Sequence, residues 1–505
     1  MIKAFIIILV LAFGSCKSSE QQQSVHLPEG NKSGNVITLG SSKSIHYQYG
    51  GFNTANLFPN FETNQSECLK IVHQLNPRVL RFPGGSIANF YHPTGKAYGF
   101  EENDFTTREG SVSRHVNKML DKNKRANAQN NYLEDFIPFA KENNASVLYV
   151  ANITSASEAE IMGIIARFKT EQIPIVGIEL GNELYLNAYK EVVPNVEDYI
   201  KRASKYAKTI KAQYPDIKVL VATESRSIKN PKFVSQWNVP LAKEKFYDAL
   251  SLHVYPEFPF CEKTGSLEDI LECYHSNLIN YIQKTYPEQL ELFFNQFPGV
   301  DIWITEWNIL KPGNYIGNSM AQSLYQSLFF FENLKVHATN SKIPLLSFHN
   351  LGASEFGYSA MLSGATNTEV VLNNAYFVFK LFSSINQGNN EWIEVSMSEN
   401  DSSIKLYALK VKNETHLFIM NLSGENKIID GIRSEKNEMN VKHFESFSGA
   451  KPYSAVSYNG YFNDESIASI DKNILNQIRQ CSYSADTKWE GKIQPYSINH
   501  ITLQQ

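Results

Sequence analysis

Eight short apolar runs alternate with helical patterns between about residue 45 and residue 350, and this alternation narrows the possible folds more than any other feature. The runs are Ile45–Phe52, Arg78–Pro83, Ser146–Asn152, Ile175–Leu180, Lys218–Thr223, Ala249–Tyr255, Asp301–Glu306 and Ile343–His349. Near-continuous apolar runs of this length read as strands buried on both faces, as parallel strands under crossover helices are. Amphipathic stretches such as Val196–Tyr214 and Ser319–Val336 lie between them. Eight strands alternating with helices predict a closed (β/α)8 TIM barrel of the α/β class. The rival is an open doubly wound sheet, but no GxGxxG or GxxxxGK(S/T) follows any run.

From about residue 390 the texture changes. Ile404–Val411 and His416–Leu422 flank Asn413–Glu414, a hairpin signal. Trp392–Val395, Val441–Phe444 and Ile498–Leu503 are further strand candidates, and no long helical period intervenes. The expectation is a C-terminal antiparallel β-sandwich over 389–505, behind a barrel spanning 41–388. Val36–Leu39 would lend the sandwich one strand. Between the second and third runs, Ser86–Asn130 is a long insertion carrying Phe90, Tyr91, His92, Tyr98 and Phe100. Loops of this length usually serve function, and the plainer reading is a flap packed on the barrel rim.

Residues 1–16 are read as a signal segment rather than fold. One positive charge at Lys3 precedes the apolar run Ala4–Phe13, too short to span a bilayer and the size of a secretory core. Gly14, Ser15 and Cys16 follow, a lipobox pattern in which Cys16 is lipidated. Residues 17–40 would then start with a tether. The expected location is that of an exported bacterial lipoprotein, periplasmic or at the cell surface, held to the outer membrane by lipid alone. In an oxidising compartment Cys261 and Cys273 either clip one surface loop or remain thiols. With 47 Lys+Arg against 51 Asp+Glu and no block of like charge, the chain has no nucleic-acid footprint.

Barrel enzymes place their chemistry at the C-terminal strand ends. Here the second run ends Arg81-Phe82-Pro83-Gly84-Gly85 and the fourth leads into Gly181-Asn182-Glu183-Leu184-Tyr185. The sixth ends His253-Val254-Tyr255 and the seventh Thr305-Glu306-Trp307-Asn308. Ionisable groups closing greasy strands cost free energy unless they meet one another. Two glutamates, one after the fourth strand and one ending the seventh, form a pair that can work on a glycosidic bond. Singly, Glu183 could be a loop residue and Glu306 a rim ion pair.

The segments LRFPGG (Leu80–Gly85), ELGNE (Glu179–Glu183), SLHVY (Ser251–Tyr255) and TEWN (Thr305–Asn308) resemble clan A glycoside hydrolases. The similar families are the α-L-arabinofuranosidases of family 51, the β-xylosidases of family 39 and the heparanase-like β-glucuronidases of family 79. TEWN is intermediate between DEWN and TEFN types, which leaves the family within the clan open. The resemblance implies a retaining enzyme on poly- or oligosaccharides, with Glu183 as acid/base and Glu306 as nucleophile. It implies that Asn182 bonds the sugar 2-hydroxyl, that Arg81 lies beside Glu306 and that Tyr255 orients the Glu306 carboxylate. His253 would line the same subsite, the plainer reading being a satisfied core histidine.

Trp307 is expected as a stacking platform for sugar, with rim packing as its alternative. Glu224, ending the fifth run, is a rival carboxylate or a partner of Arg226, and His349, Asn350 and Glu355 are further candidates for touching sugar. No metal and no cofactor are expected, since no HExxH or DxDxDG occurs and two carboxylates suffice. The partner is a carbohydrate. The competing reading is an inactive carbohydrate-binding lipoprotein, which would have no reason to keep both carboxylates. A uronate substrate would need added cations, which Lys96 or Arg108 in the insertion could supply.

Overall fold

The computed structural model describes residues 34–94, 98–100, 131–225, 235–263, 265–309, 317–353, 359–363, 369–435, 437–452, 454, 481–485 and 488–504. Cys16, Lys96, Arg108, Arg226 and Glu355 lie outside them. Eight parallel strands form the barrel: β1 (Val36–Asn53), β2 (Val79–Phe82), β3 (Ser146–Ala151), β4 (Ile175–Leu180), β5 (Lys218–Ala222), β6 (Ala249–Val254), β7 (Asp301–Trp307) and β8 (Leu345–Phe348). Each pairs with the next, and the end of β1 pairs with both β2 and β8 to close the ring. Helices cover its outside, among them Tyr132–Glu142, Glu158–Thr170, Val196–Gln213 and Met320–Asn340. Ser157 starts the second of these with a capping box, its hydroxyl on the Glu160 N–H and the Glu160 carboxylate on its own.

β1 is long because it serves two bodies. Its first half pairs antiparallel with Gln387–Met397 and parallel with Gly431–Ser434, so Val36–Leu39 belongs to the C-terminal sheet. That sheet continues through Ile404–Val411, Glu414–Asn421, Ser497–Gln504, Asn440–Gly449 and Cys481–Ala485. A short pair, Lys427–Ile428 with Lys492–Ile493, forms a second layer, and Ile429 and Ile493 are buried against Ile37, Leu417 and Ile501. The sandwich packs on the barrel through rings: Phe331 of Met320–Asn340 stacks on Tyr407 at 4.7 Å and meets Phe418 at 4.8 Å.

The barrel interior is layered by the two-residue period of its strands. Val79, Leu148, Leu220, Ala249, Trp303 and Leu345 fill the lowest layer, and Gly177 leaves room for the Trp303 ring, since a Cβ there would come within 2.9 Å of it. Two residues further along, five of the strands turn polar with Arg81, Glu179, Ser251, Thr305 and Ser347, all buried, while β3 and β5 keep Val150 and Ala222. In β7 the alternation breaks. Leu252 lies opposite Ile304 but His253 lies opposite Glu306, so Thr305 is the extra residue of a β-bulge. Thr305 still points inward, its hydroxyl 2.7 Å from that of Ser251. The bulge turns Glu306 inward too, and sends Trp307 out. Bulges beside active sites commonly re-aim a side chain in this way.

Candidate active site

Above the polar layer the strand ends converge. Arg81 on β2 has no exposed surface and reaches across the interior to β4 and β7. Its Nε donates to both Glu179 oxygens at 3.2 and 3.1 Å, and Nη2 donates to Glu179 Oε2 at 2.6 Å. Nη2 also donates to Asn182 Oδ1 at 2.9 Å, and Nη1 to Glu306 Oε1. A guanidinium only donates, so the Asn182 atom facing it is the carbonyl oxygen and its NH2 is directed elsewhere. Burial opposes the charge on Arg81, but Glu179 and Glu306 outweigh it and its pKa is raised.

Glu306 is buried and held from several sides. Tyr255 donates its hydroxyl to Oε2 at 2.8 Å, and His253 Nδ1 lies 3.5 Å from the same oxygen. Burial alone would raise its pKa, but His253, Arg81, His349 and the Tyr255 hydrogen bond together lower it. These contacts favour the anionic form of Glu306. Burial, and then the charges of Glu306 and Glu183, push the Tyr255 pKa far up, so that phenol remains a donor.

Glu183 sits on the loop after β4 in the left-handed region, φ 47°, a conformation that costs a non-glycine residue about 1 kcal/mol. The loop is fixed from below by Asn89, whose side chain accepts from the Asn182 N–H at 2.8 Å and donates to its carbonyl at 2.7 Å. Glu183 Oε1 lies 2.9 Å from His253 Nδ1 and accepts from the Tyr185 hydroxyl at 3.2 Å. Facing ligand atoms of Glu183, His253 and Glu306 all fall within 4.8 Å of one another. Burial lowers the His253 pKa, but the Glu306 charge and the Glu183 hydrogen bond outweigh that, leaving it raised.

Arg81, Asn182, Glu183, His253, Tyr255 and Glu306 thus form one cluster. Trp307 does not join it, which corrects the expectation of a sugar platform. The bulge turns its ring into the helix layer, where it is 1% exposed, stacked on Phe329 at 4.6 Å and edge-on to Phe348 and Phe379. Glu224 packs beside β5 instead, accepting from the Ser235 hydroxyl at 2.5 Å and pairing its backbone with the Asn238 side chain. His349 is partly buried, its ring edge-on to Tyr255 at 6.0 Å, and desolvation is the largest cause lowering its pKa. Of the insertion, residues 95–97 and 101–130 lie outside the described residues; its Phe90, Tyr91, His92, Tyr98 and Phe100 are all buried. Sequence reasoning missed Glu179, Tyr185 and Asn89. For Glu179 a signal existed, a carboxylate one residue short of the end of an apolar strand.

No family model and no curated protein matches the chain. Solved structures match it throughout. The GH51 arabinofuranosidase from Xanthomonas axonopodis pv. citri superposes with a TM-score of 0.62 at 14% identity, covering 93% of this chain and 100% of that one. An α-L-arabinofuranosidase from Thermotoga maritima, solved with arabinose, gives 0.61 at 14% identity over the same shares. A family 30 subfamily 8 xylanase from Clostridium acetobutylicum gives 0.50 at 10% identity, over 93% and 99%. The chain therefore has the (β/α)8 barrel and C-terminal β-sandwich of clan A glycoside hydrolase structures.

Proposed function

We propose that this chain is a retaining glycoside hydrolase working by double displacement, with Glu306 as nucleophile and Glu183 as acid/base. The observation that carries this is the close approach of the two carboxylates, whose facing oxygens lie within 4.8 Å. Retaining pairs stand about 5–5.5 Å apart, while inverting pairs need about 6.5–9.5 Å to admit a water. In the first step a Glu306 lone pair bonds to the anomeric carbon. The bond from that carbon to the leaving oxygen breaks, and Glu183 gives that oxygen its proton. In the second step water attacks the anomeric carbon and yields a proton to Glu183, and the ester electron pair returns to Glu306. The Asn182 NH2, its oxygen held by Arg81, would donate to the neighbouring sugar hydroxyl.

Among the described residues the one guanidinium of the cluster, Arg81, has its donors committed to Glu179, Glu306 and Asn182, so we take a neutral sugar before a uronate. Pentosides are the first substrates to try, since the solved structures include arabinofuranosidases and a xylanase. With 4-nitrophenyl α-L-arabinofuranoside and β-D-xylopyranoside, the wild type should release nitrophenolate and a sugar of retained configuration. Glu306→Ala should lose at least about 10³-fold in kcat, and added azide should give a glycosyl azide of inverted configuration. Inverted product from the wild type, or near-normal turnover of Glu306→Ala, would refute the assignment.

Export and lipidation at Cys16 are part of the same proposal. The Cys261–Cys273 disulfide, Cα atoms 5.5 Å apart, supports an oxidising compartment. Among the described residues no helix is long and apolar enough to cross a membrane. Labelled palmitate should enter the wild type and not Cys16→Ala; equal labelling of both would remove Cys16 from this role.

A further inference from the structure

We propose that Glu179 is a positioning residue of the reaction: it takes the bidentate edge of Arg81, leaves Glu306 a single guanidinium donor, and so keeps Glu306 basic enough to attack. This inference rests on the retaining mechanism proposed above.

The geometry sets up the competition. Glu179 is fully buried, as is Arg81, and its two oxygens collect Nε and Nη2 while Nη1 alone turns to Glu306. A guanidinium is a rigid fork that pairs preferentially edge-on with one carboxylate. A buried arginine needs a counter-charge, and Glu306 alone would supply one. The site nevertheless holds a second carboxylate, on the edge that would otherwise face the nucleophile. Without it, Arg81 could pair with Glu306 along two donors and neutralise it within the same buried space.

That would harm one chemical step and not the other. The Arg81 contact is stronger with free Glu306 carboxylate than with the glycosyl ester, in which the carboxyl has lost its charge. Extra stabilisation of the free anion raises the barrier to its attack on the anomeric carbon, and lowers the barrier to its departure when water attacks. Removing the Glu179 charge should therefore slow formation of the glycosyl ester while its hydrolysis holds or quickens. A loosened or misfolded site has no reason to treat the steps oppositely. An added arginine contact lowers a carboxyl pKa by about 1–3 units, and the Brønsted slope of about 0.5 known for thiolate nucleophiles, carried over to the carboxylate, turns this into about 3- to 30-fold in the attack step.

The test uses Glu179→Gln, which keeps shape and loses charge, with Glu179→Asp, which keeps charge and shortens reach. Both are compared with the wild type on 2,4-dinitrophenyl α-L-arabinofuranoside or β-D-xylopyranoside, whichever the wild type cleaves. The pre-steady-state burst reports ester formation and the steady state reports its hydrolysis. Glu179→Gln should slow the burst about 3- to 30-fold without slowing the steady state, and Glu179→Asp should do the same more weakly. Equal slowing of both phases, or no change in either, overturns the role of Glu179. Should Glu179→Gln fail to fold, the same two outcomes in Glu179→Asp decide. A wild type inert on every aryl glycoside would instead count against the hydrolase reading itself.

Discussion

His253 Nδ1 lies 2.9 Å from Glu183 Oε1 and 3.5 Å from Glu306 Oε2, so one imidazole stands between the two carboxylates. It also feels the Arg81 charge, which opposes its own, and the balance still raises its pKa. The Glu183–His253 contact shares one proton, and the alkaline limb of kcat/KM should carry the His253 titration. The limb should lie above pH 6.5, the ordinary imidazole value, with activity falling as pH rises through it. His253→Asn should move that limb. The stability sign follows from the same shift. A raised folded pKa means that the contribution of charged His253 is complete below about pH 6.5, where the unfolded imidazole titrates. It is lost as pH climbs through the folded value. The melting-temperature gap between wild type and His253→Asn should therefore shrink from pH 6 to pH 9; a gap that widens would contradict the charged imidazole.

Glu183→Ala should separate substrates by leaving group. A general acid contributes about 10²–10⁴-fold where the leaving oxygen needs a proton, so unactivated disaccharides should lose that much. Dinitrophenyl glycosides depart unprotonated and should keep most of their rate of ester formation. Equal losses on both would move the acid/base role elsewhere, with Glu224 and its Ser235 contact the first place to look.

The parts of this site that stood out in the sequence are those that violate a local rule. Arg81, His253 and Glu306 interrupt or close runs that are otherwise apolar, and the desolvation cost of such residues is a signal in itself. Glu179 carried the same signal one turn of the pleat deeper, inside IVGIEL, but its partner lies two strands away, a distance that only the closed barrel spans. The Thr305 bulge had no local signature, because register is a relation between strands and not a property of one. It alone decides that Trp307 faces Phe329 and not a sugar. The insertion is hard to read for a similar reason: Tyr98 is anchored through its hydroxyl to Asp135, 2.6 Å away on another element.

Trp307→Ala should act on stability and not on substrate affinity. Its ring is buried among Phe329, Phe348 and Phe379, and truncating a buried aromatic costs about 3–5 kcal/mol. Trp307→Phe should restore much of that stability, with KM for aryl glycosides close to wild type. A Trp307→Phe protein that melts normally but shows a KM raised tenfold or more would return the residue to the substrate site.

A metal ion should oppose this site rather than serve it. Glu183, His253 and Glu306 present three ligand atoms within 4.8 Å of one another, and zinc sits about 2.0–2.2 Å from such oxygen and nitrogen donors. The same lone pairs are needed for attack, for proton donation and for holding the shared proton, so an ion seated there would compete with the reaction instead of assisting it. Exhaustive EDTA treatment should therefore leave kcat unchanged. Added Zn²⁺ should inhibit reversibly and in competition with substrate. Because binding must displace the His253 proton, inhibition should weaken as pH falls, and His253→Ala should raise the inhibition constant while Trp307→Phe leaves it alone. Activity lost in EDTA and restored by one divalent ion would show that the two carboxylates do not suffice, and would reassign the cluster as a metal centre.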